Sequence, residues 1–244
     1  IMKKVICLNE TKTINTGDLK CNPKLYYDIP NSEFGDVRLF DKFDDYDVII
    51  VGGGGLIDLD YFDTHLNNIS NLENKMKIIW GAGLNGYRYT YPAYVSRYDL
   101  IGLRDSIFKN LNMNRFYYVP CVTCKSSLFD EAILTEETDV LYYYHHFEGM
   151  TYKMDELVKI NDHIKNVEFA KNSDDMSEVK KKIARAKAVV TNTYHGTYWA
   201  SLLGKKVYTV ETTTKTKLLD LPLNIEFINY NTKINNLETI INNY

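Results

Sequence analysis

Short apolar runs alternate with amphipathic stretches along the whole chain, and this order predicts strands that alternate with helices. The predicted strands cover residues 5–8, 48–51, 77–80, 100–103, 117–119, 140–144, 167–170, 188–191 and 207–210. Helical spacing or capping residues predict helices over residues 63–74, 106–111, 154–164, 176–186, 197–203 and 235–241, with Ser173 or Asp174 near the start of the one over residues 176–186. Residues 48–51 are a continuous β-branched run, which is typical of a strand covered on both faces. The predicted fold class is therefore α/β, with parallel sheets flanked by helices.

A stretch without strong periodicity, residues 125–138, interrupts this alternation near the middle of the chain. Beyond it the pattern restarts and continues over a second half of similar size. We therefore predict an N-terminal α/β lobe over residues 1–125 and a C-terminal α/β lobe over residues 126–244 that carries His195.

Composition narrows the class of protein without indicating its chemistry. The 244 residues are 45% hydrophobic and 25% charged, which is ordinary for a globular protein. The net charge of −3 and the lack of a basic block argue against a nucleic-acid partner. The longest apolar stretches have only the length of strands, so no membrane span is expected. Four cysteines without a secretion signal favour reduced thiols and a cytoplasmic location.

Two glycine-rich loops follow predicted strands. Gly53, Gly54 and Gly55 belong to a run of four glycines whose backbone N–H groups could face an anion or a sugar, or could form a tight turn without a ligand. The run lacks the Lys-Ser/Thr of a P-loop. Residues 81–86, which include Gly83, have the spacing of a dinucleotide fingerprint, but poor helix-forming residues follow. A turn is predicted there, and no cofactor is expected.

Arg104 and a pair of cysteines are further candidates for a site. Arg104 ends a predicted strand, and its guanidinium suits a carboxylate or phosphate, with a salt bridge to Asp105 as the alternative. Asp105 is placed to cap the helix over residues 106–111. Cys121 and Cys124 form a CxxC without the second pair that a structural zinc site needs, so packed thiols and no metal are predicted.

His195 is the strongest single feature, because it lies between an apolar strand and the start of a helix. There the helix dipole and its unpaired N–H groups favour an anionic ligand, and an imidazole can exchange protons near neutral pH. His145 and His146 occupy the analogous end of the strand over residues 140–144.

Together these motifs resemble the polysaccharide pyruvyl transferase family over most of the chain. The resemblance rests on the order and spacing of residues 15–18 (Asn-Thr-Gly-Asp), 48–55, 80–83, 103–106, 190–196 and 202–207. It implies two Rossmann-like lobes in a GT-B-like arrangement. It also implies transfer of a pyruvyl group from phosphoenolpyruvate to two hydroxyls of a glycan sugar, forming a ketal, in surface polysaccharide biosynthesis. The implied partner is a glycan or lipid-linked saccharide, and self-association stays open.

The resemblance also implies roles for individual residues. His195 would be the acid/base, Arg104 would anchor the donor, and Lys215 or Lys217 resembles a lysine that follows the last strand in the family. The residues that would bind substrate are Asn15, Gly17, Asp18, Gly53, Gly54, Gly55, Gly83, Thr193, Tyr194, Gly196, Glu211 and Lys215. Thr193 stands where the family usually has an arginine, so Lys205, Lys206 or Arg104 would have to supply the missing cation.

Two other functions compete with the pyruvyl transferase. One is a glycosyltransferase that uses a nucleotide sugar, with Glu211 holding the donor ribose. The other is a non-catalytic glycan-binding relative that kept the fold. Response to nucleotides, or glycan binding without turnover, would distinguish them.

Overall fold

A computed structural model describes residues 2–87, 89–108, 114–130, 135–219 and 225–234. Within these residues the chain divides into two compact units. One contains the described residues of Ile1–Ser126 and Thr213–Asp220, and the other contains those of Ser127–Thr212 and Leu221–Tyr244. The predicted lobe boundary after residue 125 lies beside this division. The predicted helix over residues 235–241 lies outside the described residues.

The chain returns to the first unit after residue 212, although the sequence pattern assigns this segment to the C-terminal lobe. Both the backbone N–H and the hydroxyl of Thr214 donate to the carbonyl of Gly86, at 3.2 and 3.1 Å. The N–H of Ser106 donates to the carbonyl of Leu218 at 2.7 Å, and the Leu218 side chain joins the core of the first unit. These long-range contacts place residues 213–219 with the first unit.

The first unit is built on one parallel sheet of seven strands. Its strands are β1 (Val5–Asn9), β2 (Ser32–Asp36), β3 (Val48–Val51), β4 (Gly54–Ile57), β5 (Met76–Leu84), β6 (Leu100–Leu103) and β7 (Phe116–Tyr118), and its helices are α1 (Thr16–Leu19) and α2 (Asp60–Ser70). The order is β2-β1-β3-β5-β6-β7, and β4 pairs with the last residues of β5. Apolar side chains are buried on both faces of the sheet, as the β-branched run of β3 predicts.

The second unit has one parallel sheet of five strands. Its strands are β8 (Thr138–Tyr144), β9 (Val167–Lys171), β10 (Ala186–Thr191), β11 (Lys206–Val210) and β12 (Ile225–Ile228), and its helices are α3 (Glu148–Ile160), α4 (Met176–Arg185) and α5 (Tyr194–Leu202). The order is β12-β11-β10-β8-β9. Apolar side chains of β8, β10 and β11 pack with those of α3 to form its core.

The predicted α/β class with two parallel sheets is confirmed, but several local predictions are wrong. Residues 81–83 continue β5 instead of forming a turn. Gly81 (φ +76°) accommodates a shift in the pairing register, so the strand continues to pair with β4 and β6 beyond it. The helix α4 is capped by Asp175, whose side chain accepts the N–H of Ser177, and not by residue 173 or 174. The edge strands β2 and β12 were missed because their side chains are partly exposed. The strand β4 was missed because its first two residues, Gly54 and Gly55, were assigned to a loop. No helix among the described residues has the length and apolar character to cross a bilayer.

Candidate functional site

Each sheet has one point at which the strand order reverses, between β1 and β3 in the first unit and between β8 and β10 in the second. Connections from the two strands leave toward opposite faces there and open a crevice at the carboxyl ends, where ligands of open α/β sheets bind. The predicted site residues occur near the carboxyl edges of these two sheets, in the first unit and in the second.

At the first switch point, α1 lies against the end of β1 and holds Asp18 in place. Asn15 caps this one-turn helix: its side-chain oxygen accepts the N–H of Gly17 at 3.1 Å, and its amide donates to Asp18 Oδ2 at 2.6 Å. Asn9, the last residue of β1, donates to the backbone carbonyl of Asp18 at 3.1 Å. The predicted residues Asn15, Gly17 and Asp18 therefore form one small ordered structure at this edge.

The glycine run begins directly after β3, continues into the first two residues of β4, and packs closely against this structure. The N–H of Gly53 donates to a carbonyl of the loop after α1 at 2.9 Å. Gly54 has φ +106°, and a Cβ there would lie 3.4 Å from Asp18 Oδ1. A Cβ on Gly55 would lie 2.8 Å from a neighbouring side chain. Close approach thus accounts for Gly53 and Gly55, and the positive φ accounts for Gly54, while the predicted contact of all three with a ligand stays a prediction.

Arg104 and Asp105 are buried directly after β6, beside Gly83 in β5. A Cβ on Gly83 would lie 2.8 Å from Arg104 Nε, so a glycine is needed for this approach. Asp105 accepts the N–H of Leu84 at 2.9 Å and the hydroxyl of Tyr91. Burial raises the pKa of Asp105, while Arg104, Tyr91 and the Leu84 N–H lower it. The carboxylate therefore binds the end of β5 and a loop tyrosine, which corrects its predicted role as a helix cap.

Lys215 joins Arg104 and Asp18 in the first unit. It lies in the single turn Thr214–Thr216. The pKa of Lys215 is lowered to about 8, mainly by burial and also by the charge of Arg104, while the carboxylate of Asp18 opposes this shift. Arg104 is thus close enough to Lys215 for its charge to shift the pKa of the lysine. Two neighbouring cations favour a ligand with two anionic groups.

Glu10 is a titratable group that the sequence analysis missed. It follows β1 and has a pKa raised to about 7, mainly by burial, then by the charge of Asp18, while Arg38 lowers it. A carboxyl with a pKa near neutrality at a switch point is suited to proton transfer. Its position directly after a buried strand was the only sequence signal, and burial by distant residues supplied the rest.

The two cysteines of the CxxC differ in burial. Cys7, Cys21 and Cys121 are buried, Cys124 is partly exposed, and none of the four is in a disulfide. Cys121 Sγ lies 3.6 Å from Cys21 Sγ, although 100 residues separate them. The hydrogen bond with Cys121 and burial raise the pKa of the Cys21 thiol well above its usual range, which favours the neutral thiol.

In the second unit, His195 lies in the first turn of α5. The helix begins at Tyr194, three residues earlier than predicted, because the Thr193 side chain caps it by accepting the N–H of Gly196 at 2.8 Å. The buried ring of His195 packs against Tyr194 and Trp199, with ring centroids 5.1 and 5.2 Å apart. His195 is therefore held among aromatic rings at a helix N-terminus, where the dipole favours negative charge.

A hydrogen bond links the residues that follow the two central strands, β8 and β10, in the unit that contains His195. Asn192 follows β10, and its side-chain oxygen accepts the backbone N–H of His145, which follows β8, at 2.8 Å. The ring of His145 stacks on that of His146 at 4.7 Å, and its Nδ1 accepts the N–H of Phe147 at 3.1 Å. The two histidines thus lie at the analogous strand end, as predicted, and Asn192 is the residue that orders this switch point.

Lys205 and Lys206 do not replace the cation missing at Thr193. They precede or begin β11, so they lie at the amino edge of the sheet, whereas Glu211 follows the strand at its carboxyl edge. Lys205 Nζ is 2.8 Å from a carboxylate oxygen of Glu136, and Lys206 Nζ is 3.3 Å from one of Glu226. Of the three proposed substitutes, Arg104 is the one at a carboxyl edge.

The sequence matches the model of the polysaccharide pyruvyl transferase family over residues 9–213. The chain belongs to this family. Membership supports a polysaccharide-modifying transferase. The match includes the predicted site residues from Asn15 to Glu211 and stops two residues before Lys215, so the placement of that lysine rests on the structure. No curated protein matches the chain.

Two solved structures resemble this member of the polysaccharide pyruvyl transferase family. A functionally uncharacterized protein of Klebsiella pneumoniae has a TM-score of 0.53 at 15% identity over 93% of both chains, which shows a shared fold. The wall teichoic acid polymerase TagF, soaked with CDPG, has a TM-score of 0.44 at 12% identity over 86% of this chain and 70% of its own.

Proposed function

We propose that the chain transfers a pyruvyl group from phosphoenolpyruvate to two hydroxyls of a glycan sugar. The observation that carries this proposal is the pair of cations Arg104 and Lys215 near Asp18 in the first unit. Phosphoenolpyruvate has a carboxylate and a phosphate, and two neighbouring cations match two anionic groups. Arg104 can bind either group through two N–H donors, while Lys215 supplies a compact charge.

The reaction requires two proton transfers from the sugar. One hydroxyl oxygen adds to the central carbon of the donor while the methylene carbon gains a proton and becomes a methyl group. The second hydroxyl oxygen then displaces phosphate, and its proton leaves with the phosphate. The proposal assigns the acid/base role to His195, because a histidine can gain and lose a proton near neutral pH.

An assay of phosphate release tests the proposal directly. The full chain, incubated with phosphoenolpyruvate and neutral glycan acceptors that carry suitably spaced hydroxyl pairs, is expected to release inorganic phosphate and to form a product heavier by one pyruvyl ketal.

Thermal shifts with phosphoenolpyruvate and with UDP, GDP and CMP identify the donor, because a ligand that binds the folded chain raises its melting temperature. A shift with a nucleotide alone would favour the glycosyltransferase with Glu211 at the donor, and glycan binding without turnover of any donor would favour a binding protein.

The pH dependence of donor binding tests the role of Lys215. Because the pKa of Lys215 is lowered to about 8, the cation is present below that pH and is lost as pH rises through it. We expect affinity for phosphoenolpyruvate, measured by calorimetry between pH 7 and 10, to fall progressively above pH ~8. Lys215→Met is expected to bind weakly at pH 7 and to show little further loss up to pH 10.

Lys217→Met is the matched control for this experiment. Lys217 lies two residues away in the same segment and is exposed, so its loss is expected to leave the pH profile unchanged. Lys215 is not the cation of the donor site if Lys215→Met keeps the fall in affinity above pH ~8. The same conclusion follows if Lys217→Met abolishes that fall.

A further inference from the structure

A pocket of about 450 Å³ opens in the second unit at the carboxyl ends of β8 and β9, and residues of α3 also line it. Its volume is in the range of small-molecule sites. Its lining includes two aromatic residues, two carboxylates, a lysine and a hydroxyl: Tyr144, Phe169, Asp155, Asp174, Lys171 and Thr151. None of these residues belongs to the site described above.

Phe169 forms a fixed aromatic surface at this pocket. It lies on the edge strand β9 and is 47% exposed, so part of its ring is accessible to a ligand. Its ring stacks on that of Tyr142 at 5.8 Å with 17° between the planes, and it meets the ring of Tyr144 nearly edge-on at 6.1 Å and 70°. Because neighbouring rings already hold it in place, a ligand that stacks on it immobilises little additional side chain.

The polar groups around this surface are held by hydrogen bonds. Asp155 accepts the hydroxyl of Tyr144, and Asp174 Oδ2 accepts the backbone N–H of Lys171 at 2.8 Å. The hydroxyl of Thr151 donates to the carbonyl of His145 at 3.1 Å, which connects the pocket wall to the switch-point histidine. A carboxylate can accept about four hydrogen bonds, so both acids can serve donors on a ligand as well as those of the protein.

The charge of the lining selects among ligands. Two carboxylates and one ammonium make the pocket net negative, which opposes phosphoenolpyruvate and nucleotide phosphates. A neutral sugar ring has an apolar C–H face that suits the electron-rich face of a phenyl ring, and hydroxyls that donate to carboxylates. We propose that this pocket binds one neutral sugar residue of the acceptor glycan, with Phe169 as the stacking surface and Asp155 and Asp174 as hydroxyl acceptors.

The position of the pocket agrees with an acceptor subsite. Tyr144 is the last residue of β8, and His145 follows it at the switch point of the same sheet. A saccharide that occupies the pocket therefore lies along the carboxyl edge at which this fold binds ligands. This inference rests on the proposed function for the identity of the glycan as the acceptor, but binding can be measured without a donor.

Ligand-observed NMR on the full chain, without phosphoenolpyruvate, tests the inference. The probes are the methyl glycosides of glucose, galactose, mannose and N-acetylglucosamine, and at least one is expected to bind. Phe169→Ala should weaken that binding about ten-fold, since a stacking surface is lost. Phe169→Trp keeps an aromatic face and should retain binding, and Asp155→Asn should weaken it.

Phe227→Ala is the matched control. Phe227 is 46% exposed on β12, the opposite edge strand of the same sheet, so it resembles Phe169 in type and exposure but lies away from the pocket. Its replacement should leave glycoside binding unchanged. Binding of none of the four glycosides, equal binding by Phe169→Ala and the unchanged chain, or competition by uridine or cytidine that exceeds every glycoside would overturn the inference.

The thermal shift with phosphoenolpyruvate separates this inference from the proposed function. Phe169→Ala should keep that shift while it loses the glycoside. If the unchanged chain binds a glycoside through Phe169 but shows no response to phosphoenolpyruvate, the saccharide subsite stands and the pyruvyl donor fails.

Discussion

Replacing His195 with asparagine is expected to lower the rate of phosphate release by about 10²- to 10⁴-fold, the range that a positioned acid or base contributes to catalysis. Asparagine keeps a polar side chain of similar reach in the first turn of α5 but cannot transfer a proton near neutral pH. Donor affinity should change little, because the proposal assigns the donor's anionic groups to Arg104 and Lys215. The effect should therefore appear in kcat and much less in KM.

His65→Asn is the control for this measurement. His65 lies on α2 in the first unit, is partly exposed, and has no assigned role. Its replacement should leave both kinetic constants at their original values. If His195→Asn kept full turnover while its melting temperature matched the unchanged chain, the acid/base would have to be sought elsewhere, and Glu10, with a pKa near 7, would be the first alternative.

Gly196→Ala is expected to lower the free energy of unfolding by about 2 kcal/mol or more. A Cβ at this position would lie 2.6 Å from Thr193 Oγ1 and closer still to Tyr143 Cδ1 and Thr191 Oγ1, and these atoms belong to a helix cap and two buried strands. The usual gain of up to about 1 kcal/mol from replacing glycine with alanine in a helix cannot offset this overlap. Denaturant unfolding monitored by circular dichroism measures the change.

Gly149→Ala is the contrasting substitution in the same unit. Gly149 lies in the first turn of α3, and a Cβ there would meet its nearest neighbour, a ring carbon of Phe147, at an ordinary 3.4 Å. Alanine should therefore stabilise the chain by about 0.5 to 1 kcal/mol through helix propensity. If both substitutions change the free energy of unfolding by the same amount, helix propensity explains the effect at Gly196 and the lack of space beside Tyr143 does not.

Gly196 and Thr193 both have a structural role at the start of α5. Both were predicted to bind substrate, and that role stays a prediction. The structure adds that Thr193 caps α5 and that Gly196 allows the helix to approach Tyr143. Threonine at position 193 thus stabilises the helix that carries His195, and the cation pair of the proposed donor site lies in the first unit.

The central strands and several helices followed from the chain itself. Runs such as that of β3 are apolar at every position because both faces of a parallel sheet are covered, so the signal is contained in a few consecutive residues. The same holds for α4, whose apolar spacing predicts Met176 as its first residue, although the cap is Asp175 and not Ser173 or Asp174. The sequence also placed His195 and Arg104 at strand ends, where ligands of this fold class bind, whereas Asp18 was named through the family resemblance. Their roles in a site stay predictions.

Tertiary structure alone decided which distant residues meet. Local periodicity reports whether a face is buried, but it does not report which segment buries it. The place of residues 213–219 in the first unit therefore follows only from the hydrogen bonds that Thr214 and Leu218 make there. The lowered pKa of Lys215, the raised pKa of Glu10 and the aromatic surface at Phe169 all depend on neighbours far away in sequence. The sequence by itself determined the fold class and the strand ends that carry candidate chemistry, and long-range packing determined the charge and shape of what lies there.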